Sequence, residues 1–179
     1  MKPFKLRLWK STDVDNLLRF ANNENIAKYL TDKFPFPYTK ADAKSFIAYA
    51  NRSGNDFIYA IEVQNLAVGS IGLHLQQDIY RKNAEIGYWL AEPFWGQGIM
   101  TKVILEMSSI GFERFEIERI YARPFENNLA SQKCLVKAGF TMEANLPGTV
   151  FKNGEYLGEL IYGIRREDFK VKRPKVLDI

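Results

Sequence analysis

The sequence predicts an α/β (α+β) fold built on a mixed, mostly antiparallel seven-stranded sheet with helices on both faces. Two observations carry this. Strand-like and helix-like segments follow one another in the order β-α-α-α-β-β-β-α-β-α-β-β. Short polar turns join the central strands as antiparallel neighbours, whereas two later helices each lie between strands and require crossovers. The chain has 179 residues, 46% apolar and 26% charged, which suits one soluble domain of ordinary size. We expect it to occupy residues 1–169, followed by a basic tail at 170–179 containing KVKRPK.

FKLRLWK alternates in polarity and predicts a strand over 4–10. Ser11, Thr12 and Asp13 signal a helix start, and Val14, Leu17, Leu18 and Ala21 form its apolar stripe. A short helix is expected over 26–30. KFPFPYT carries two prolines and cannot be a helix interior. Thr39 then opens a helix to about residue 52. Strands are expected over 57–63 and 67–75, with Gln64, Asn65 and Leu66 as the turn. A polar connection over 76–83 leads to a strand over 85–90. A helix over 99–114, a strand over 119–123 and a helix over 129–138 ended by Gly139 follow. The last strands begin at 140 and 157, the latter running to 165, with Lys152, Asn153 and Gly154 as a turn signal.

Single residues exclude several chemistries. One cysteine, Cys134, excludes an intramolecular disulfide and a multi-cysteine zinc site, and one histidine, His74, excludes most histidine-based metal sites, so no metal is expected. The apolar runs fall short of a membrane span, and MKPFKLRLWK lacks the features of a signal peptide, so a cytoplasmic location is expected. The net charge of +4 suits an anionic ligand. No RNA-binding aromatic motif accompanies it, so nucleic acid is not an expected partner.

EIGYWLAEPFWGQGIMTK joins a strand to a helix through an aromatic, glycine-flanked turn. A helix N-terminus offers backbone N–H groups without partners and the positive end of the dipole. Glycine brings that backbone close to a ligand. Gly96, Gln97 and Gly98 supply the approach, and Ile99, Met100 and Thr101 the first helical N–H groups, which together suit a diphosphate. In ENNLASQKCLVKAGF, Asn128, Ser131 and Leu135 share one helix face, although Asn and Ser at a helix start also serve as caps.

With these residues the chain resembles the GNAT superfamily of acetyl-CoA-dependent N-acetyltransferases, and within it the RimJ/RimL branch. FPFPYTKADAKSFI resembles that branch's aromatic-proline loop and helix, AEIGYWLAEPFWGQGIMTKV its acetyl-CoA signature, NNLASQKCLVKAGF its N-x-A-S segment and GEYLGELIYGIRREDF its closing strand. The resemblance implies that the parallel strands at 85–90 and 119–123 splay apart. It implies that the pantetheine arm of acetyl-CoA pairs with the strand at Tyr88, Trp89 and Leu90, and that its diphosphate lies on Trp95 to Thr101. Trp95 and Met100 depart from the wider superfamily pattern. The tyrosine that often serves the superfamily as acid is replaced by Leu135.

Amide formation from a thioester requires a base for the amine and a proton for the leaving thiolate, and a strand N–H between residues 86 and 88 suits the oxyanion. Residues 85–90 span about 16 Å when extended, which puts Glu85 at the thioester end as a candidate base. A symmetric closure of 76–83 sets His74 opposite Glu85 as a second candidate. The resemblance gives Ser131 the sulfur side and Asn128 the pantetheine amide. Phe34, Phe36 and Tyr38 are the expected acceptor-side wall. The expected partners are acetyl-CoA and an amine, either a peptide N-terminus or a small molecule, with the chain a monomer or homodimer. A catalytically weak CoA- or protein-binding module on the same fold is the alternative.

Overall fold

The structure is a computed structural model and describes residues 3–52, 54 and 56–172. The strands are β1 (Phe4–Arg7), β2 (Asp56–Val63), β3 (Leu66–Leu75), β4 (Asn83–Leu90), β5 (Arg119–Ala122), β6 (Thr141–Lys152) and β7 (Glu155–Arg165). The helices are α1 (Val14–Ala21), α2 (Glu24–Ala27), α3 (Lys40–Ala50), α4 (Ile99–Arg114), α5 (Leu129–Lys137) and α6 (Arg166–Lys172). One seven-stranded sheet has the order β1-β2-β3-β4-β5-β7-β6. Only the central β4–β5 pair is parallel.

Local chemistry explains most boundaries. Thr39 caps α3 in a capping box with Asp42. Gln64 and Asn65 both adopt left-handed backbone, with φ of 53° and 63°, and form the tight turn between β2 and β3. Leu66, expected in that turn, already belongs to β3. β1 stops at Arg7 rather than residue 10. The Arg7 guanidinium binds Asp13 and Glu62, and the Lys10 N–H donates to Asp13 Oδ2 at 2.8 Å, so the chain turns early and buries Trp9. α2 starts earlier than expected because the Asn23 side chain accepts from the Asn25 N–H at 2.8 Å. α6 was not expected. It follows β7 without a break, and the Arg166 side chain donates to the Phe112 carbonyl in the last turn of α4 and to the Phe115 and Ile117 carbonyls beyond it. Residues 173–179 of the basic tail lie outside the described residues.

The β4–β5 pairing covers only Asn83↔Arg119, Ala84↔Ile120 and Glu85↔Tyr121. β4 continues to Leu90, but the other chain stays with β7. The Leu160 N–H donates to the Pro124 carbonyl at 2.9 Å and the Glu126 N–H to the Gly158 carbonyl at 2.8 Å. Pro124 has no N–H to offer. A V-shaped gap therefore opens between the two parallel strands beyond Glu85.

The sheet's two faces carry different layers. Leu73 and Ile120 lie under α4, where a methyl on Gly111 would come within 2.8 and 3.2 Å of them. α5 packs beside α4. On the other face, α1 and α3 pack together and the loop after α2 lays Phe34 on Trp89. Among the described residues no helix is long and apolar enough to cross a membrane.

The buried Asp13 carboxylate accepts from Arg7 at 2.7 and 2.9 Å. Burial is the largest influence and raises its pKa, but the bonds from Arg7 and the Lys10 N–H together outweigh it and hold the carboxyl below its usual range. A depressed folded-state pKa stabilises the fold above the unfolded value of about 3.9, and that contribution disappears as pH falls through the folded value. Urea melts from pH 7 to pH 3 should show stability falling at the acid end. Asp13→Asn should be less stable at pH 7 by about 3 kcal/mol, with a flatter acid dependence.

Candidate active site

The turn between β4 and α4 leaves backbone uncovered. After Leu90 the chain makes a short helical turn, Glu92–Phe94, and buries Phe94 against Phe20. Trp95 Nε1 donates to the Leu90 carbonyl at 2.6 Å and ties the turn to the strand end. Gly96 and Gly98 have φ of 71° and 72°, a conformation that favours glycine. Gly98 caps α4, no side chain caps that helix, and its first turn holds no acidic residue. The positive end of α4 therefore faces the cleft without competition from a carboxylate.

A cleft of about 530 Å³ runs from this turn into the gap between β4 and β5. Of the residues singled out in the sequence, Tyr88, Trp89, Leu90, Trp95, Gly96 and Gly98 line it. Ile99, Met100, Thr101, Asn128 and Ser131 complete that set. Gln97 is not among the lining residues; its amide donates to the Pro93 carbonyl at 3.0 Å and braces the turn. Met100 is buried in the core and leaves the cleft open. Lys28, just after α2, and Lys133 and Lys137 of α5 add positive charge that the motif reading did not include. This donor set, with its volume, fits a coenzyme bearing several phosphates.

At the inner end, Asn128 caps α5 by accepting from the Ser131 N–H at 3.1 Å. The Ser131 hydroxyl lies 2.8 Å from the Tyr88 hydroxyl, either one donating. Burial pushes the Tyr88 phenol well above its usual pKa, so it stays protonated. Leu135 is fully buried. The phenol near Ser131 comes from β4 instead.

The other face carries a row across four strands. Asp56 pairs with His74, His74 with Glu85 and Glu85 with Tyr121. The assumed hairpin register is therefore correct. The histidine's hydrogen-bond partner is different: His74 Nδ1 lies 2.6 Å from Asp56 Oδ1. The Tyr49 hydroxyl donates to Asp56 Oδ2 at 2.5 Å. Burial, the largest influence, raises the Asp56 pKa, but the bonds from Tyr49 and His74 outweigh it and keep the carboxyl below its usual range. The Tyr121 phenol is pushed up by burial and then by the Glu85 charge beside it. Arg123 Nη2 donates to the buried Glu159 at 2.8 Å.

The proposed wall divides into unequal parts. The Phe34 ring lies 5.8 Å from Trp89 and 5.1 Å from Tyr38. Tyr38 is buried, its pKa raised to about 12 by burial, so it supports the wall from behind. Phe36 is 50% exposed. Lys152 bonds Asp32 at 2.7 Å, tying this loop to the β6–β7 hairpin. Asp56, Tyr49, Tyr121, Arg123 and Glu159 were not singled out in the sequence. Asp56 stood just outside a predicted strand, and the others gain meaning only from strand pairing.

A parted parallel strand pair with a backbone anion turn at one end suits a phosphate-bearing coenzyme thioester. The profile of the acetyltransferase (GNAT) domain matches residues 4–141, and the chain belongs to that family. The family's reaction is acetyl transfer from acetyl-CoA. The chain is 35% identical over 97 residues to the uncharacterized N-acetyltransferase YoaA of Bacillus subtilis (strain 168), a match covering 54% of each protein. It is 29% identical over 102 residues to the putative ribosomal N-acetyltransferase YdaF of the same strain, covering 57% of this chain and 55% of that one. These matches thus span about half the relatives' length. The fold superposes on RimL, a ribosomal L7/L12 α-N-protein acetyltransferase in complex with coenzyme A, with a TM-score of 0.80 and 24% identity, covering 90% of this chain and 93% of that one. The relatives agree with the RimJ/RimL-like branch.

Gly98→Ala should test the turn. A Cβ in left-handed backbone costs about 1 kcal/mol, so the free protein should melt a few degrees lower. The further rise in melting temperature on adding CoA should also shrink relative to the unsubstituted protein.

Proposed function

We propose that the chain transfers an acetyl group from acetyl-CoA to a primary amine, either a peptide N-terminus or a small molecule, by direct attack with both substrates bound. The observation that carries this reading is the cleft that joins the anion turn to the Tyr88–Ser131 hydroxyl pair, with β4 and β5 parting beyond Glu85. Acetyl-CoA supplies an activated acyl carbon and a thiol leaving group. The turn from Trp95 to Thr101, with Lys28, Lys133 and Lys137, holds the phosphates. Tyr88, Trp89, Leu90 and Asn128 flank the pantetheine arm. Ser131, joined to the Tyr88 hydroxyl, gives the departing sulfur its proton. Glu85 and His74 serve the amine from the opposite face, with Phe34 and Phe36 as the acceptor wall. Positioning one substrate against the other supplies much of the acceleration. The reading also places the chain in the cytoplasm, as a monomer or homodimer, in a single domain over 1–169.

Acetyl-CoA should raise the melting temperature, and a thiol-release assay over peptide N-termini and small amines should identify an acceptor. No thermal response to acetyl-CoA and no thiol release with any amine would defeat the reading. Ser131→Ala should lower kcat on the order of 10²-fold while leaving the acetyl-CoA thermal response intact.

A further inference from the structure

We propose that Gly87, bare backbone beside the His74 ring, forms the seat of the acceptor amine, and that His74, aligned by Asp56 and Tyr49, takes the proton the amine must lose. The inference rests on the acetyl-transfer reading above and assigns the position and partners of the second substrate.

Gly72 and Gly87 are opposite each other in the β3–β4 register, in the middle of the sheet. Glycine inside a strand costs stability, and it often marks a close approach by a ligand. Gly72 is buried, and its missing side chain leaves room for the His74 ring and Ile58, so Gly87 is the bare backbone of the pair. Gly87 is exposed although β4 is a central strand, while Ile86 beside it is buried. It lies two residues beyond Glu85, the last β4 residue paired with β5. The patch therefore sits at the mouth of the strand gap, on the face opposite Tyr88 and Ser131.

His74 leans over this patch. Its Nε2 lies 3.0 Å from where a Cβ on Gly72 would stand and 3.8 Å from where one on Gly87 would stand. Nδ1 faces Asp56 Oδ1 at 2.6 Å, and an ionised carboxylate can only accept, so Nδ1 carries the hydrogen. The neutral ring then presents the Nε2 lone pair to the patch, with Asp56 stabilising the imidazolium that forms. Tyr49 holds Asp56 from α3. The other charged or titratable neighbours of this pair are Glu85 on β4, Tyr121 beyond it on β5, and Lys33, whose charge acts on Asp56. Glu85 attracts the ammonium to the patch. His74 Nε2 removes one proton. The freed nitrogen lone pair forms the N–C bond, the C–S electron pair leaves with sulfur, and the second nitrogen proton reaches that sulfur by way of Ser131. His74 then returns its proton to solvent.

Steady-state kinetics of the full chain with acetyl-CoA and the amine found in the screen test this. A methyl at residue 87 meets no protein atom nearer than 3.8 Å, so Gly87→Ala should fold and keep the acetyl-CoA thermal response. Its KM for the amine should rise at least tenfold. Asp56→Asn should lower kcat/KM at least tenfold, because the His74 ring loses the partner that orients it. Asp56→Glu should restore part of that loss. An unchanged amine KM in Gly87→Ala, or an unchanged kcat/KM in Asp56→Asn, overturns the inference while wild-type turnover preserves the acetyl-transfer reading. Absence of wild-type turnover overturns both.

Discussion

β4 and β5 share three residue pairs and then separate, because the chain beyond Ala122 keeps its hydrogen bonds with β7 while β4 stays with β3. This parting organises the site. A parallel pair that continued to Leu90 would close the cleft and cover the β4 backbone on that side. The cleft instead runs from the glycine turn along β4 as far as Tyr88. Its outer end meets the N-terminus of α4, where the dipole and the uncapped N–H groups favour anions.

Strand alternation separates the two kinds of proton chemistry. Residues an odd number apart on a strand point to opposite faces. Glu85 and Gly87 share one face with their cross-strand partners His74 and Gly72, while Tyr88 turns to the other face and meets Ser131. In the proposed reaction, one strand thus serves an amine from one face and a departing thiol from the other. Burial acts on the two sides differently. It keeps the Tyr88 phenol protonated, whereas Tyr49 and His74 offset it at Asp56 and keep that carboxyl ionised.

Much of this was legible in the residues. Tight turns and caps are local: Gln64 and Asn65, the Thr39 capping box and Gly139 each set a boundary by their own backbone preference. The polar connection closed as symmetry suggested, so His74 does face Glu85. The same reasoning missed the partner of His74, because Asp56 comes from a strand pairing on the other edge of β3. It also missed the early end of β1, which follows from Arg7 reaching Glu62 on β2, fifty-five residues away. Tyr38 looked like part of an open wall, but the packing of Phe34 buried it.

By itself, the sequence determined the elements, the bare turn at Gly96 and Gly98, and the caps at Thr39 and Asn128. These follow from propensities and spacing that act over a few residues. The tertiary structure alone decided where β4 and β5 part, that Tyr88 reaches Ser131, that Asp56 holds His74, and that Gly87 lies open in a central strand. Each of these joins side chains or backbone from separate strands and helices, and it exists only once long-range hydrogen bonding has fixed which edges meet.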